Sequence, residues 1–160
     1  MSGVLSVSGT VPTLGSINFL MSQVQNFTEI TTLFDQYRIA QVVVQFSPRT
    51  FNANDLPPVF TVIDYDDSNT PSALGELREY ATLLINPGGT YFERVLNPKF
   101  TTAAYSGTFT SYAVSGGWVD SASPNVEWYG IKYGIPAGAT TNSNYYQIDV
   151  SYILNLRNVH

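Results

Sequence analysis

Three carboxylates within four residues, Asp64, Asp66 and Asp67, are the densest ligand chemistry in the chain. Hard oxygens gathered at the end of a strand suit a hard divalent cation such as Ca²⁺. The run is not a helix-loop-helix calcium loop. Counting from Asp64, the sixth position is Asn69, where that loop needs Gly, and the twelfth is Gly75, where it needs a bidentate Glu. Two readings stay open: a solvated turn in which Asp67 or Asn69 caps local backbone donors, or a calcium site completed by a neighbouring subunit.

Little other chemistry is available. There is no Cys, and the single His is the last residue, His160, so disulfides, thiolate metal sites, triads and imidazole centres are excluded unless a terminus supplies them. Glycoside hydrolysis needs two facing carboxylates; Asp120 with Glu127, or Asp149 with Glu93, are the candidates, but no spacing brings either pair together. Gly116-Gly117 lacks the Lys and Ser/Thr of a phosphate-binding loop. The largest excess is aromatic: eleven Tyr, nine Phe and two Trp. Trp118, Trp128, Tyr112, Tyr145 and Tyr146 are candidates for a stacking platform for sugars or bases, for plain core, or for surface buried between subunits.

Charged residues make up only 12% of the chain against 44% hydrophobic, a sparse coat that favours the inter-subunit reading. The net charge of −5 and the scattering of Arg38, Arg49, Arg78, Arg94, Lys99, Lys132 and Arg157 argue against strong nucleic-acid binding by this segment alone. No apolar run approaches the roughly 20 residues of a membrane helix, and the N-terminus does not read as a signal peptide. No membrane partner is expected.

The elements that position these residues follow from period two. Phe34–Pro48 is dominated by β-branched and aromatic residues and stops at a proline, which makes it a strand. Strict alternation places Arg38, Ala40, Val42, Val44 and Phe46 on the drier face and Tyr37, Ile39, Gln41, Val43 and Gln45 on the other, so a second sheet is needed to cover it. Before it, residues 1–15 are an edge strand or an arm, 16–24 a strand with Ile17, Phe19 and Met21 together, and 26–34 a helix capped by Asn26 with Glu29 in capping-box order. After it come a loop with Asn52, Asn54 and Asp55, a strand at 59–65, and a short helix capped by Ser72. Two strands, 81–85 and 90–96, follow around Asn86-Pro87-Gly88-Gly89. Residues 106–114 are a strand with Phe109 and Tyr105 inward, 126–135 another, and 145–156, the cleanest alternation, belongs in the middle of a sheet. About eight strands and two short helices in one domain, 1–160, read as an all-β sandwich or barrel.

Several pieces in order resemble the capsid proteins of circular Rep-encoding single-stranded DNA viruses, in particular those whose shell (S) domain is tombusvirus-like. They are Phe34-Asp35-Gln36-Tyr37-Arg38-Ile39 before a Val-rich strand and Pro48, then Val62-Ile63-Asp64-Tyr65-Asp66-Asp67 before Pro71, Gly117-Trp118-Val119-Asp120, Pro124, Tyr129-Gly130-Ile131-Lys132 and the last alternating strand. The resemblance covers nearly the whole chain. It implies an eight-stranded single jelly roll of B-I-D-G and C-H-E-F sheets with short connecting helices, the helix at 26–34 lying between the first two strands. It also implies a homo-oligomeric icosahedral shell around a circular single-stranded DNA genome, no catalysis, residence in the virion, and assembly in the host nucleus. Asp64 and Asp66 match the Asp-x-Asp spacing of interface calcium sites in such shells, and the loop at 135–144 is expected near a symmetry axis. Two departures stand out: residues 1–30 hold no Lys or Arg where the family pattern has a basic N-terminal arm, and the projecting domain of tombusviruses is missing. DNA is therefore expected to be held by a basic arm outside this chain. The alternative on composition and fold alone is a carbohydrate-binding β-sandwich module.

Overall fold

In the computed structural model, which describes residues 2–49, 56–105, 108, 111–138 and 144–159, the stretch Phe34–Pro48 forms one strand, β3. Asn52, Asn54, Asp55, Phe109, His160 and residues 139–143 of the loop expected near a symmetry axis lie outside the described residues, as does the Tyr105 side chain. Strand β11 (Asn144–Val159) runs antiparallel to β3 along its length, from Tyr146 opposite Pro48 to Val159 opposite Phe34. Its central place agrees with its alternation. β1 (Ser2–Val7) pairs with its other side, and β6 (Phe92–Leu96) with the far side of β3. The first sheet is thus ordered β1-β11-β3-β6, with the two-residue β9 (Val119–Asp120) pairing the start of β3.

The second sheet is ordered β2 (Thr13–Phe19), β10 (Trp128–Ile135), β4 (Val59–Ile63), β5 (Leu84–Asn86). In chain order these two sets are the B-I-D-G and C-H-E-F sheets of a single jelly roll. A separate hairpin, β7 (Phe100–Tyr105) with β8 (Ser111–Ser115), is added before β10. The core lies between the sheets: Phe19, Tyr37, Val44, Phe46, Trp128, Ile131 and Tyr146 are fully or almost fully buried in one cluster. Phe46 stacks on Phe92 with centroids 4.6 Å apart, and Phe100 meets Trp128 edge-on at 4.7 Å, adding to burial the geometry aromatic pairs prefer.

The strict alternation expected of β3 breaks. Gln41 stands opposite Ile153 and Ile39 opposite Leu154, so Ala40 has no partner on β11. This is a β-bulge, which shifts the phase of a strand by one residue. Beyond it Val42, Val44 and Phe46 face the core as expected, but before it the buried residues are Tyr37 and Ile39, and Arg38 turns to the outer face.

Other expectations are corrected by pairing. Helix α1 (Phe27–Leu33) follows the second strand and precedes the third, because residues 1–15 hold an edge strand and the start of another. Asn26 precedes it with φ 60° and makes no side-chain cap. The expected strand at 16–24 starts earlier and yields to a 3₁₀ turn, Met21–Gln23. β5 and β6 do not pair with each other; the turn between them carries the chain from one sheet to the other, with Gly89 at φ 71°. Of the strand expected at 106–114, residues 111–114 lie in β8, the second arm of the added hairpin. Helix α2 (Leu74–Leu77) packs on the outside of the second sheet, Leu74 and Leu77 closing over Phe60 and Val62. Gly134 makes that approach possible, since a Cβ there would lie 2.6 Å from both leucine side chains. Among the described residues no helix is long and apolar enough to cross a membrane.

Deleting Ala40 tests the bulge. With Ala40 gone Ile39 follows Gln41 directly, the ladder to β11 runs without an extra residue, and Tyr37 and Ile39 stay inward with Arg38 outward. Removing Gln41 as well would turn both apolar side chains outward, each worth about 1.5–3 kcal/mol against a typical total of roughly 5–15. The single deletion is expected to stay folded by circular dichroism, as Val43→Ala on the outer face does, at temperatures where the double deletion of Ala40 and Gln41 is largely unfolded.

Candidate functional site

Antiparallel pairing of β4 and β10 sets Lys132 opposite Val62, two residues before Asp64. The Asp64 amide donates to the Gly130 carbonyl at 3.0 Å, so the acidic run leaves the sheet directly beside Lys132. Ile131 and Ile135 face the core, and Lys132 emerges on the outer face, under the acidic run and Tyr80. There it is only 6% exposed.

A buried ammonium must be paired, and this one is paired twice: Nζ lies 2.7 Å from Asp64 Oδ2 and 2.6 Å from Asp67 Oδ1. The Tyr80 hydroxyl donates to Asp64 Oδ2 at 2.8 Å, and the Asp66 amide to Asp64 Oδ1 at 3.3 Å. The Asn69 amide donates to Asp67 Oδ1 at 2.8 Å, and the Ser16 hydroxyl to the Ser68 carbonyl at 2.6 Å. Of the three carboxylates only Asp64 is buried; Asp66 is exposed and the Asp67 side chain reaches solvent at 42% exposure. Burial pushes the Asp64 carboxyl up, but hydrogen bonds involving Asp66, Lys132 and Tyr80 outweigh it and hold the carboxyl at about 2. Burial likewise lowers Lys132, yet the hydrogen bonds and charges of Asp64 and Asp67 leave it well above its ordinary value. Asp66 moves the other way, raised first by its hydrogen bond with Asp64 and then by burial and the neighbouring charge.

The structure brings together the three acids that the sequence singled out. Carboxylate oxygens of Asp64, Asp66 and Asp67 all lie within 4.8 Å of one another. The missed partners are Lys132 and Tyr80. The signal for Lys132 was a single cation on the outward face of a strand otherwise flanked by Gly130 and Gly134. Its ammonium bears on the calcium expectation, because it sits between two of the three carboxylates at hydrogen-bond distance and supplies the counter-charge. Ca²⁺ needs six to eight oxygens at about 2.3–2.6 Å, and here a like charge stands among the three carboxylates. The donor set fits an ammonium and does not fit a calcium ion.

The other candidates are dispersed. Asp120 accepts from the Ala122 amide beside β3, and Glu127 from the Ser68 hydroxyl near the acidic run. Asp149 and Glu93 pair with opposite sides of Gln45 on the outside of the first sheet. The aromatic platform does not form: Trp128 and Tyr146 are fully buried in the core, Tyr112 and Tyr145 are exposed on different strands, and Trp118 lies half-buried ahead of β9.

A family model described as circovirus capsid protein matches residues 3–160. Among solved structures, a 60-mer of the BFDV capsid protein is similar at 17% identity and a TM-score of 0.76, over 98% of this chain and 90% of that one. A decameric form of the BFDV capsid protein gives 16% and 0.71 over 99% and 95%. Melon necrotic spot virus gives 13% and 0.55 over all of this chain and 56% of that one. These identities make the likeness one of fold. No curated protein matches the chain in sequence.

Asp64, depressed from 3.8 to about 2, contributes about 2 kcal/mol that is fully present above about pH 4 and lost as pH falls towards 2. Lys132, raised, contributes below its unfolded value of 10.5 and loses that only as pH rises beyond it. Lys132→Met leaves Asp64 buried without its counter-charge; we expect a loss of about 3–5 kcal/mol and an acid limb of Tm between pH 4 and 2 that disappears or reverses. Asp64→Asn added to it should recover much of the loss, as a double-mutant cycle would show.

Proposed function

The chain belongs to the circovirus capsid protein family; it is a structural protein of the virion and not an enzyme, and we propose that copies of it close into an icosahedral shell around a small circular single-stranded DNA genome. The observation that carries this reading is where its apolar surface lies. Ile85, 49% exposed, is on β5, the free edge of the second sheet; Tyr112 and Val114, 67% and 51% exposed, are on the added hairpin. Val4 on edge strand β1 and Val95 on edge strand β6 are likewise exposed. Open edges with apolar side chains are liabilities for a lone domain and natural contacts for one that lives among copies of itself. The BFDV capsid protein forms a 60-mer, which supports sixty identical copies as the closed form.

Packaging in this proposal relies on a basic arm outside this chain, consistent with a domain of net charge −5. Assembly in the host nucleus is part of the same reading and is checked by where a tagged copy accumulates. Subunit contact in this reading needs no divalent ion, since Lys132 already holds Asp64 and Asp67 together.

Single substitutions Ile85→Lys and Val114→Lys should leave the monomer's stability within about 0.5 kcal/mol and abolish closed particles in negative-stain electron microscopy and sedimentation. Wild-type protein that stays monomeric at every concentration, with and without single-stranded DNA, would sink the shell reading. Chelation with EDTA should leave the Tm of assembled particles unchanged; a fall that Ca²⁺ reverses would restore the interface calcium site.

A further inference from the structure

The bulge at Ala40 does more than bury Tyr37 and Ile39. By changing the phase of β3 it turns Arg38 to the outer face of the first sheet, where Asn155 stands opposite it and Arg157 lies two residues further along β11. Trp118 lies against both arginines: the Arg157 guanidinium carbon is 4.3 Å from the indole centroid and that of Arg38 is 5.5 Å. The two cations are therefore held within about 10 Å of each other by one ring, an arrangement that cation–π attraction supports and mutual repulsion opposes.

A third cation joins them. Lys99 packs on Gly116, where a Cβ would stand 2.7 Å from Nζ, and with Arg38, Asn97 and Gly116 it lines a pocket of about 150 Å³ that, among the described residues, no carboxylate borders. Three of the seven basic residues thus converge on the segment Gly116-Gly117-Trp118. Among the described residues none of the three makes an ion pair; Lys132 makes the only two. Arg157 Nε donates to Gln36 Oε1 at 2.6 Å, a neutral partner, and Arg38 Nε is buried without one. The nearest acids along the strands, Asp35 and Asp120, line the adjoining pocket with Gln36. Uncompensated guanidinium groups pre-positioned on an aromatic ring have the chemistry that single-stranded nucleic acid requires: cations for phosphates and flat groups on which bases stack.

We infer that Arg38, Trp118, Arg157 and Lys99 form a binding site for single-stranded nucleic acid, the two arginines and Lys99 taking phosphates and the indole–guanidinium stack taking a base. This deepens the shell reading and rests on it for the nature of the polymer. A sulfated glycan would use the cations but not the stack.

The test is fluorescence anisotropy of a labelled 20-nucleotide oligo-dT with the full chain across a salt series. Arg38→Gln/Arg157→Gln should weaken binding at least tenfold and lower the slope of log affinity against log salt by about 1.4, the equivalent of two phosphate contacts on a single strand. Arg38→Lys/Arg157→Lys should restore the slope. Trp128 is fully buried, so quenching of intrinsic Trp fluorescence by oligo-dT should report Trp118 and vanish in Trp118→Phe. An unchanged slope in the Gln variant overturns the inference, as does wild-type protein that binds a heparin oligosaccharide but not oligo-dT. Electron microscopy of the same samples separates the two claims. Particles that form normally while the Gln variant loses DNA support both; DNA binding without particles leaves the site standing and removes the shell.

Discussion

The constraint on which the rest of this fold depends is that β3 must serve two out-of-phase patterns on one strand. Its C-terminal half presents Val42, Val44 and Phe46 to the core, and its N-terminal half presents Tyr37 and Ile39. No flat strand does both, because side chains alternate strictly. The unpaired Ala40 absorbs the difference while β11, which keeps its alternation throughout, remains paired on both sides of it. Once that ladder is fixed, β1 and β6 add to its flanks. The second sheet then closes on the only apolar face the first one offers. The Tyr37 hydroxyl, donating to the Ser123 carbonyl at 2.9 Å, ties the segment ahead of β10 to the same half-strand.

The outside of the second sheet answers a different demand. A cation emerging there beneath a covering segment loses much of its water, and the loss is offset only because two carboxylates and a tyrosine hydroxyl are delivered to the same spot. Their delivery depends on sheet register: Asp64 is anchored to Gly130 and Lys132 is two positions on. The covering helix can lie close because β10 has Gly134 under its leucines. Charge pairing and apolar packing thus hold one patch together from both ends, with Tyr80 belonging to each.

Much of this was legible in the sequence, and the failures share a cause. Strands with a continuous pattern, above all the last one, were readable because burial on one face leaves a period-two trace. Jelly-roll order came from resemblance, and the two four-stranded sheets match it. Ala40 was unreadable because a bulge changes phase without a distinctive residue: Arg-Ile-Ala-Gln-Val reads as plain alternation, and only pairing with β11 shows the extra position. The hairpin mistaken for one strand and the turn taken to join β5 to β6 failed similarly, since turn residues mark a reversal but not which strand receives the chain. For the acidic run, three aspartates announced themselves by proximity in sequence. Lys132 is 65 residues from Asp67, and no local pattern reports a partner that distant.

The proposed packaging asks how a domain of net charge −5 could enclose a polyanion, and the two outer faces bear on it. At physiological salt a charge is felt over about 8 Å, so a phosphate responds to its immediate surroundings and hardly to the whole domain. What matters is segregation. Lys132 is held inside the acidic run, where it is unavailable to any ligand, whereas among the described residues Arg38, Lys99 and Arg157 make no ion pair. The same screening acts between neighbouring subunits: the repulsion of acidic surfaces fades within one Debye length, while apolar side chains such as Ile85 and Val114 gain on contact whatever the salt. A sparse, segregated charge set therefore permits like subunits to associate through apolar edges and leaves a local positive corner for the nucleic acid that we propose they hold.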